Sequence, residues 1–514
     1  MHVLFEEDGA FKAGTVLADN NTSLQVELAS GKRSKVKAGH VLLRFDAPEP
    51  GGLLEAAERQ AGEIDAEFLW EACPDEEFGF EEMAAEYAGR KPSALEAVAV
   101  LLRLHGSPIH FHRKGRGRFR KAPPEILQAA LAGQEKKRQQ ALAIERMAGE
   151  LAAGTLPPEF PPLLDQLLYK PDRNRAETKA LEAACADTGL SPARLLARCG
   201  ALASHHDYHL GRFLFEYFPG GTDFPAFAEP AAAGDLPTAE VSAFSIDDAH
   251  TTEIDDAFSV QRLADGGMRV GIHIAAPGLG IAPDSDLGRI ARSRLSTVYM
   301  PGRKITMLPE AVVERFTLAA GRTVPAVSLY LDVAPDLAIR GRESRLERVP
   351  VTANLRHHDI EPLFNEETLA AGLAEFPFRD ELQRLWELAT VLEAGRGKPS
   401  ATPQQKDYNF LVDWQAAGDD GPGRIAIDER PRGSPLDKLV AELMIVANAT
   451  WGAQLRDAGI AAIYRVQTVG KVRMTTAPAA HEGLGVDCYA WSSSPLRRYV
   501  DLMNQWQLIA CLRQ

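Results

Sequence analysis

Residues 247–256 carry five carboxylates in ten positions, and this acidic segment constrains the fold of the chain more than any other feature. It lies between two apolar runs, residues 241–246 and 257–260, whose length and composition are typical of β-strands. Carboxylates packed this densely repel one another unless a cation neutralises them. Charge alone favours a solvated acidic turn, whereas a loop fixed between sheet strands can hold the oxygen ligands that Mg²⁺ prefers.

The apolar run that leaves the acidic segment leads to an Asp-Gly-Gly turn at residues 265–267 and then to an alternating run at residues 268–274. The acidic segment is therefore predicted to be a loop at the ends of sheet strands, and such a fixed loop favours a metal site over a solvated turn. An EF-hand calcium loop is excluded, because one that begins at Asp247 needs a ligand at Ala249 and a glycine at Thr252.

The composition sets the class of protein. A chain of 514 residues can form about three or four domains of roughly 150 residues each. Its five cysteines are scattered and never form a Cys-x-x-Cys pair, which favours a reduced cytoplasmic protein without a thiolate zinc site. No secretory signal or membrane-length apolar run is present, so a membrane partner is not expected. A net charge of -14 excludes a uniformly basic surface, so contacts with nucleic acid require local basic patches.

Changes of pattern divide the chain into four parts, and the predicted fold class is multidomain α+β. Residues 1–46 alternate short β-like runs with turns and are predicted to form a small N-terminal β-barrel. Residues 53–124 are predicted to form a winged-helix-like module with a basic wing, and residues 125–235 a helical connector. Residues 236–514 are predicted to form a mixed α/β domain that contains the acidic segment.

The basic wing is a hairpin that follows a helix. Ser93 is placed to cap this helix, which ends at Gly106. Helices followed by a basic hairpin are typical of a winged helix, whose wing contacts nucleic-acid backbones. A solvated basic hairpin is an equally good interpretation. The candidate nucleic-acid contacts are Arg113, Lys114, Arg116 and Arg118.

A second basic motif lies near the C-terminus. Ser494 and Pro495 fit the N-cap and first residue of a helix, which places Arg497 and Arg498 in its first turn. Cations there oppose the helix dipole at about 0.3–1 kcal/mol each, and an anion such as phosphate would remove that penalty. An arginine paired with Asp501 is the alternative.

Three further residues are candidates with two possible roles each. Tyr299 precedes a turn, where its ring can stack on a nucleobase or fill a core. Glu442 and Asn448 lie in an otherwise apolar helix, either as satisfied internal groups or as site residues.

Five motifs follow one another from about residue 239 to the end of the chain, and together they resemble the catalytic domain of the RNase II and RNase R family of exoribonucleases. They are the acidic segment at 245–257, Gly-Ile-His-Ile-Ala at 271–275, Tyr-Met-Pro with Met-Leu-Pro-Glu over 299–310, residues 442–448, and Ser-Pro-Leu-Arg-Arg-Tyr at 494–499. The resemblance implies an RNB-type catalytic domain for residues 236–514.

The family resemblance implies Mg²⁺-dependent, processive hydrolysis of RNA from its 3′ end, with release of nucleoside 5′-monophosphates. Two Mg²⁺ ions suit this chemistry, since one activates a water and the other stabilises the leaving 3′-oxygen. Asp247, Glu253, Asp255 and Asp256 match the four metal-binding carboxylates of the family. Asp255 and Arg497 are the implied catalytic residues, with Arg497 offsetting charge on the scissile phosphate.

The implied partner is single-stranded RNA, and no protein partner can be read from the sequence. Tyr299 matches a family tyrosine that stacks on a base near the 3′ end and helps to set the cleavage register. Arg497, Arg498 and Glu442 complete the expected RNA contacts of this domain.

Three departures from the family pattern leave an alternative open. Glu253 stands where the family usually has Asp, and Ala276 stands where an Asp is usual. The chain also stops 17 residues after Arg497, before the C-terminal OB-fold of the family, so a fragment is expected. The alternative is a catalytically weak RNA-binding or regulatory protein on the same scaffold. A DNA-binding regulator built on residues 53–124 would leave the C-terminal half unexplained.

Overall fold

The computed structural model describes residues 1–249, 251–398, 406–418, 421–431, 433–468 and 470–514. The chain forms two compact units, residues 1–202 and 203–514, and the division falls within the predicted helical connector. No helix in the described ranges combines the length and the apolar character needed to cross a membrane.

The first unit begins with a five-stranded antiparallel sheet in the order β4-β3-β2-β1-β5. The fully described residues 1–46 show no pairing between β4 and β5, so the sheet is open at both edges and the predicted small barrel is not confirmed. The strands are β1 (His2–Glu7), β2 (Ala10–Asp19), β3 (Ser23–Leu28), β4 (Arg33–Lys37) and β5 (Val41–Phe45).

Four helices and a small three-stranded sheet follow, as the helix-then-hairpin pattern predicted. Ser93 caps α4 through a reciprocal capping box with Glu96, and α4 ends at Gly106. Phe111 and Phe119 of the hairpin are buried in a core that includes Leu4 of β1, so this module packs on the N-terminal sheet. The winged-helix assignment itself remains a prediction. The elements are α1 (Leu53–Glu63), α2 (Ala66–Ala72), β6 (Phe78–Gly79), α3 (Phe80–Ala88), α4 (Ala94–Gly106), β7 (Phe111–Gly115) and β8 (Arg118–Lys121), and the sheet order is β6-β8-β7.

The remainder of the first unit is helical, in agreement with the predicted pattern. Leu151 and Phe160 are fully buried with Leu195 in a core of their own. Helix α5 ends before Gly154, which takes the left-handed conformation (φ 87°) that favours glycine. The helices are α5 (Pro124–Ala152), α6 (Leu164–Tyr169), α7 (Ala176–Thr188) and α8 (Pro192–Arg198).

A closed five-stranded barrel organises the second unit. Its strands pair antiparallel except for β15 and β9, which run parallel and close the barrel. Side chains alternate along β11, so Val270, Ile272 and Ile274 share a core with the apolar faces of α14 and α15. In order around the barrel, the strands are β10 (Asp256–Arg262), β11 (Met268–Ala275), β14 (Thr323–Val333), β15 (Ile339–Arg356) and β9 (Ala243–Asp247).

The described part of the second unit also contains eight helices of the α type and three two-stranded hairpins. The helices of this unit are α9 (His205–Tyr217), α10 (Asp286–Arg294), α11 (Glu310–Phe316), α12 (His357–Ile360), α13 (Glu366–Ala371), α14 (Arg379–Arg396), α15 (Pro435–Asp457) and α16 (Tyr499–Leu512). The hairpins are β12 (Val298–Met300) with β13 (Arg303–Ile305), β16 (Lys406–Gly418) with β17 (Gly421–Pro431), and β18 (Tyr464–Val466) with β19 (Arg473–Thr475).

The predicted start of the last helix is wrong. Helix α16 begins at Tyr499 with Arg498 as its N-cap, and not at Ser494. Tertiary hydrogen bonds outweigh the local Ser-Pro signal. The Leu496 N–H donates to Asp255 Oδ1 at 2.8 Å, and the Ser494 N–H donates to Asp501 Oδ1 at 2.9 Å. Residues 494–498 therefore form an irregular turn that presents backbone donors to buried carboxylates.

Candidate active site

The acidic segment joins two neighbouring barrel strands. Strand β9 ends at Asp247 and β10 begins at Asp256, and the two strands pair antiparallel through Phe244 and Phe258. The loop between them is anchored at Thr317, whose hydroxyl accepts from the Ile254 N–H at 2.8 Å and donates to the Thr252 carbonyl at 2.9 Å. Thr317, which follows α11 (Glu310–Phe316), and strand β10 thus fix the end of the loop that carries the later carboxylates. His250 lies outside the described residues.

Asp255 is buried against Arg497. Its Oδ2 accepts from Arg497 Nε at 2.6 Å, and its Oδ1 accepts from the Leu496 N–H at 2.8 Å. Burial raises the pKa of Asp255 to about 6, while Arg497 and the Leu496 N–H oppose the rise. The negative charge of Asp255 raises the pKa of Arg497, so the guanidinium stays charged. With its side chain 34% exposed, Arg497 can still contact a ligand.

Asp247 and Asp256 form the part of the site that most needs a cation. Burial, followed by the charges of Asp247 and Asp255, raises the pKa of Asp256 to about 7. Burial also raises the pKa of Asp247, although Ser245 donates to its Oδ2 at 2.5 Å. Arg497 and Arg498 oppose the rise at Asp256, but they are bonded to Asp255 and Asp501. Arg356, Arg497 and His357 oppose the rise at Asp247. Within the described residues neither Asp247 nor Asp256 has a direct ion pair of its own, and carboxylate oxygens in that state suit Mg²⁺.

Glu253 lies in different surroundings from the other three carboxylates. It is 3% exposed, and its Oε1 accepts from the Thr297 hydroxyl at 3.0 Å. Its Oε2 accepts from the Tyr299 hydroxyl at 3.2 Å and from Lys304 Nζ at 3.1 Å. The four predicted metal ligands therefore divide into a cation-poor pair, an arginine-bound Asp255 and a lysine-bound Glu253.

Tyr299 sits on the β12–β13 hairpin with its hydroxyl on Glu253. The residue is nevertheless 58% exposed, so its ring is free to meet a ligand. Within the described residues Tyr299 is thus not a core residue, and its stacking role stays a prediction.

Arg498 and Glu442 are both engaged inside the protein. Arg498 Nε and Nη2 donate to the buried Asp501 at 2.7 and 2.8 Å, which matches the alternative of an internal ion pair. Glu442 is fully buried and bonded to Arg396, whose Nε lies 3.0 Å from Oε2. A direct contact of Glu442 with RNA would require Arg396 to move, so this conformation agrees with a satisfied internal group.

Residues 237–474 and 467–514 match the family described as the RNB domain, and together they cover more than half of the chain. The chain belongs to the RNB family. An uncharacterized ribonuclease of Synechocystis is 30% identical over 297 residues, which cover 52% of this chain and 42% of that protein. Exoribonuclease 2 of Aeromonas hydrophila is 26% identical over 344 residues, which cover 54% of this chain and 49% of that protein. The chain thus spans about half the length, or less, of these relatives.

A solved structure supports the fold. An active-site mutant of the Dss1 exoribonuclease from Candida glabrata matches with a TM-score of 0.58 and 16% sequence identity. The match covers 100% of this chain and 84% of that one. A mixed α/β multidomain architecture with an RNB-type fold is therefore confirmed.

The basic hairpin lies outside the stretch that matches the RNB domain. Arg113 pairs with Glu6 at 2.8 Å and Arg118 pairs with Glu77 at 2.5 Å, whereas Lys114 and Arg116 are exposed. Two of the four predicted nucleic-acid contacts therefore have acidic partners within the first unit.

Within the described ranges, one set of three metal-ligating side chains has its ligand atoms within 4.8 Å of one another: His357, Glu361 and Asp437. No three carboxylates of the acidic segment form such a set in those ranges. Glu361 accepts from Ser434, the N-cap of α15, and Asp437 accepts from the Gly433 N–H. These bonds belong to the capping of a helix start.

Sequence reasoning missed Thr297 and Lys304, the partners of Glu253 in the RNB domain. The Pro301-Gly302 pair was a usable signal, because a two-residue turn there pairs Met300 with Arg303 and Tyr299 with Lys304. The contact of both strands with Glu253 could not be found in this way, since it joins segments far apart in the sequence.

Proposed function

We propose that this RNB domain hydrolyses single-stranded RNA processively from its 3′ end in a Mg²⁺-dependent reaction that releases nucleoside 5′-monophosphates. The observation that carries the proposal is the contact of Arg497 with Asp255 beside the cation-poor pair Asp247 and Asp256. A phosphodiester placed there would meet the charged Arg497 and, at Asp247 and Asp256, carboxylates suited to binding metal ions.

Asp247 and Asp256 are the residues proposed to hold Mg²⁺, with Asp255 beside them. Two bound ions would supply an activated water and charge stabilisation at the leaving 3′-oxygen. The barrel holds these carboxylates at strand ends, so the protein itself contributes a preorganised set of ligands.

Asp255 is proposed to orient Arg497. The guanidinium donates through Nε to Asp255 at 2.6 Å and through Nη2 to Ser494 Oγ at 3.3 Å, and its other N–H groups are proposed to bind phosphate oxygens. The Leu496 N–H fixes the other carboxylate oxygen, so the pair cannot rotate freely. Arg497 then offsets charge that develops on the scissile phosphate.

The proposed partner is RNA and the proposed location is the cytoplasm. All five cysteines are free, which suits a reducing compartment. The exposed ring of Tyr299 is proposed to stack on a base near the 3′ end of the bound strand.

The test uses a 5′-labelled RNA of about thirty nucleotides, longer than a channel of a few nucleotides per module. The native chain, Asp255→Asn and the exposed control Asp248→Asn are incubated with Mg²⁺ and their products resolved over time. We expect the native chain and Asp248→Asn to give a short 5′ end product with mononucleotides. Asp255→Asn should bind RNA but lose turnover by at least about 100-fold. Comparable nucleotide release by Asp255→Asn rejects the mechanism.

The same assay separates the alternative function. A native chain that binds single-stranded RNA at matched salt but releases no nucleotide with Mg²⁺ would be an RNA-binding protein on a nuclease scaffold.

A further inference from the structure

We propose that Glu253 is a positioning residue for the hairpin that carries Tyr299 and is not a metal ligand, and that Lys304 is its partner in that role. The inference rests on the proposed nuclease function and concerns how the substrate end is placed.

The hydrogen-bonding capacity of Glu253 is largely occupied within the protein. A carboxylate offers about four acceptor positions, and three donors already occupy this one: Thr297, Tyr299 and Lys304. The carboxylate is 3% exposed, so these donors enclose it. A metal ion would have to displace at least one of them.

The charge of Glu253 is also compensated. Lys304 Nζ lies 3.1 Å from its Oε2, and the same ammonium group donates to Thr252 Oγ1 at 2.7 Å. Asp255 also has a direct ion pair, with Arg497, whereas none joins Asp256 to a lysine or arginine within the described residues. A metal ion therefore meets an unpaired carboxylate at Asp256 and a paired one at Glu253.

The contacts of Glu253 hold both strands of the hairpin. Tyr299 of β12 and Lys304 of β13 are direct cross-strand partners, and both reach Oε2. Thr297 precedes β12, bonds Oε1, and accepts from the Met307 N–H at 3.1 Å just beyond β13. One buried carboxylate thus anchors the hairpin at its open end.

The segment that leads into the hairpin is also hydrogen-bonded to the backbone of Arg497 and Arg498. The Thr297 N–H donates to the Arg497 carbonyl at 2.8 Å, and Ser296 bridges to Arg498. Holding Tyr299 by its hydroxyl leaves the ring face exposed at a fixed offset from Arg497. That offset would determine how many nucleotides of a shortened RNA still reach the reacting phosphate.

The extra methylene of Glu253, relative to the family's usual Asp, is accounted for by this role. The longer side chain extends from the acidic loop into the hairpin, where its two oxygens meet donors on both sides of Tyr299. An Asp side chain is one methylene shorter and would lose some of these hydrogen bonds.

Metal binding separates a positioning residue from a ligand without use of activity. Mn²⁺ is titrated into the full chain and its Glu253→Gln, Lys304→Met and Asp256→Asn variants by calorimetry. We expect Glu253→Gln and Lys304→Met to bind within about threefold of the native chain, and Asp256→Asn to lose at least about tenfold in affinity. A loss in Glu253→Gln that equals the loss in Asp256→Asn, with an unchanged melting temperature, overturns the inference.

The product ladder supplies the second readout. Glu253→Gln and Lys304→Met should both change the length of the limit product, and Lys304→Arg should restore the native length. Unchanged ladders in both variants overturn the positioning role.

The failure of the proposed function has a different signature. It appears in the unsubstituted chain, as an absence of both Mn²⁺ binding and RNA degradation, and removes the basis of this inference as well. Normal degradation by the unsubstituted chain with loss of Mn²⁺ binding in Glu253→Gln rejects the inference alone.

Discussion

His273 is a fully buried titratable group, and its surroundings couple the stability of the barrel to pH. Its Nε2 lies 2.9 Å from Ser259 Oγ and its Nδ1 lies 2.8 Å from Ser328 Oγ. Each serine comes from a strand that flanks β11. Both hydrogen-bond partners are neutral, although the Glu347 carboxylate lies 4.0 Å from Nδ1. Burial lowers the pKa of His273 to about 3.

The unfolded chain binds a proton at this position near pH 6.5, whereas the folded chain does not until about pH 3. The contribution to stability is therefore complete above pH 6.5 and declines as the pH falls towards 3, by about 1.4 kcal/mol per pH unit. Urea unfolding of the native chain and of His273→Gln at pH 7 and pH 5 should show that the native chain loses about 2 kcal/mol more than the variant. Equal losses in both proteins would show that His273 does not carry this dependence.

The sequence was sufficient to find individual site residues only where one motif contains them. Asp255 and Tyr299 were predicted from their motifs, and in the structure Asp255 accepts from Arg497 while Tyr299 donates to Glu253. Lys304 was missed because its importance comes from Glu253, which lies 51 positions earlier in the chain. Such a pairing is set by the barrel and has no local sequence pattern.

At the scale of elements, alternation and turns predicted the strands around the acidic loop correctly. The turn at residues 265–267 joins β10 to β11, and Gly266 adopts the positive φ of 85° that this turn needs. The start of α16 was predicted wrongly because the Leu496 N–H bonds Asp255 and not a helical carbonyl. Local helix propensity gives the wrong prediction where a buried carboxylate accepts a hydrogen bond from the backbone and so prevents the helical conformation.

The β12–β13 hairpin offers a test of its exposed ring. Tyr299→Ala removes the proposed stacking surface, so the RNA should stop at a different final length while the rate on long substrates changes by less than about tenfold. The matched control is Tyr217→Ala, which removes another exposed tyrosine, 61% exposed, on α9. Gel analysis of the limit products decides the matter, and a ladder identical to that of the native chain rejects stacking by Tyr299.

At the scale of the whole molecule, the overall acidity of the chain and its proposed RNA partner are reconciled by local charge. The net charge is -14, yet the hairpin of the first unit presents several cations. Arg113 and Arg118 have acidic partners, and exposed ion pairs of this kind contribute about 0–1 kcal/mol. Lys114 and Arg116 are also exposed, and they are the candidates for phosphate binding in this hairpin.

Salt dependence distinguishes a nucleic-acid wing from a solvated hairpin. Each phosphate contact adds about 0.7 to the slope of log affinity against log salt for a single strand, so Lys114→Ala with Arg116→Ala should lower the slope by about 1.4. The control, Arg113→Ala with Arg118→Ala, should lower it by less, because these arginines must first leave Glu6 and Glu77. Binding is measured with single-stranded RNA and with duplex DNA at matched salt. Equal slopes for the native chain and Lys114→Ala/Arg116→Ala favour the solvated hairpin, whereas a preference for duplex DNA that the same variant abolishes favours a DNA-binding first unit.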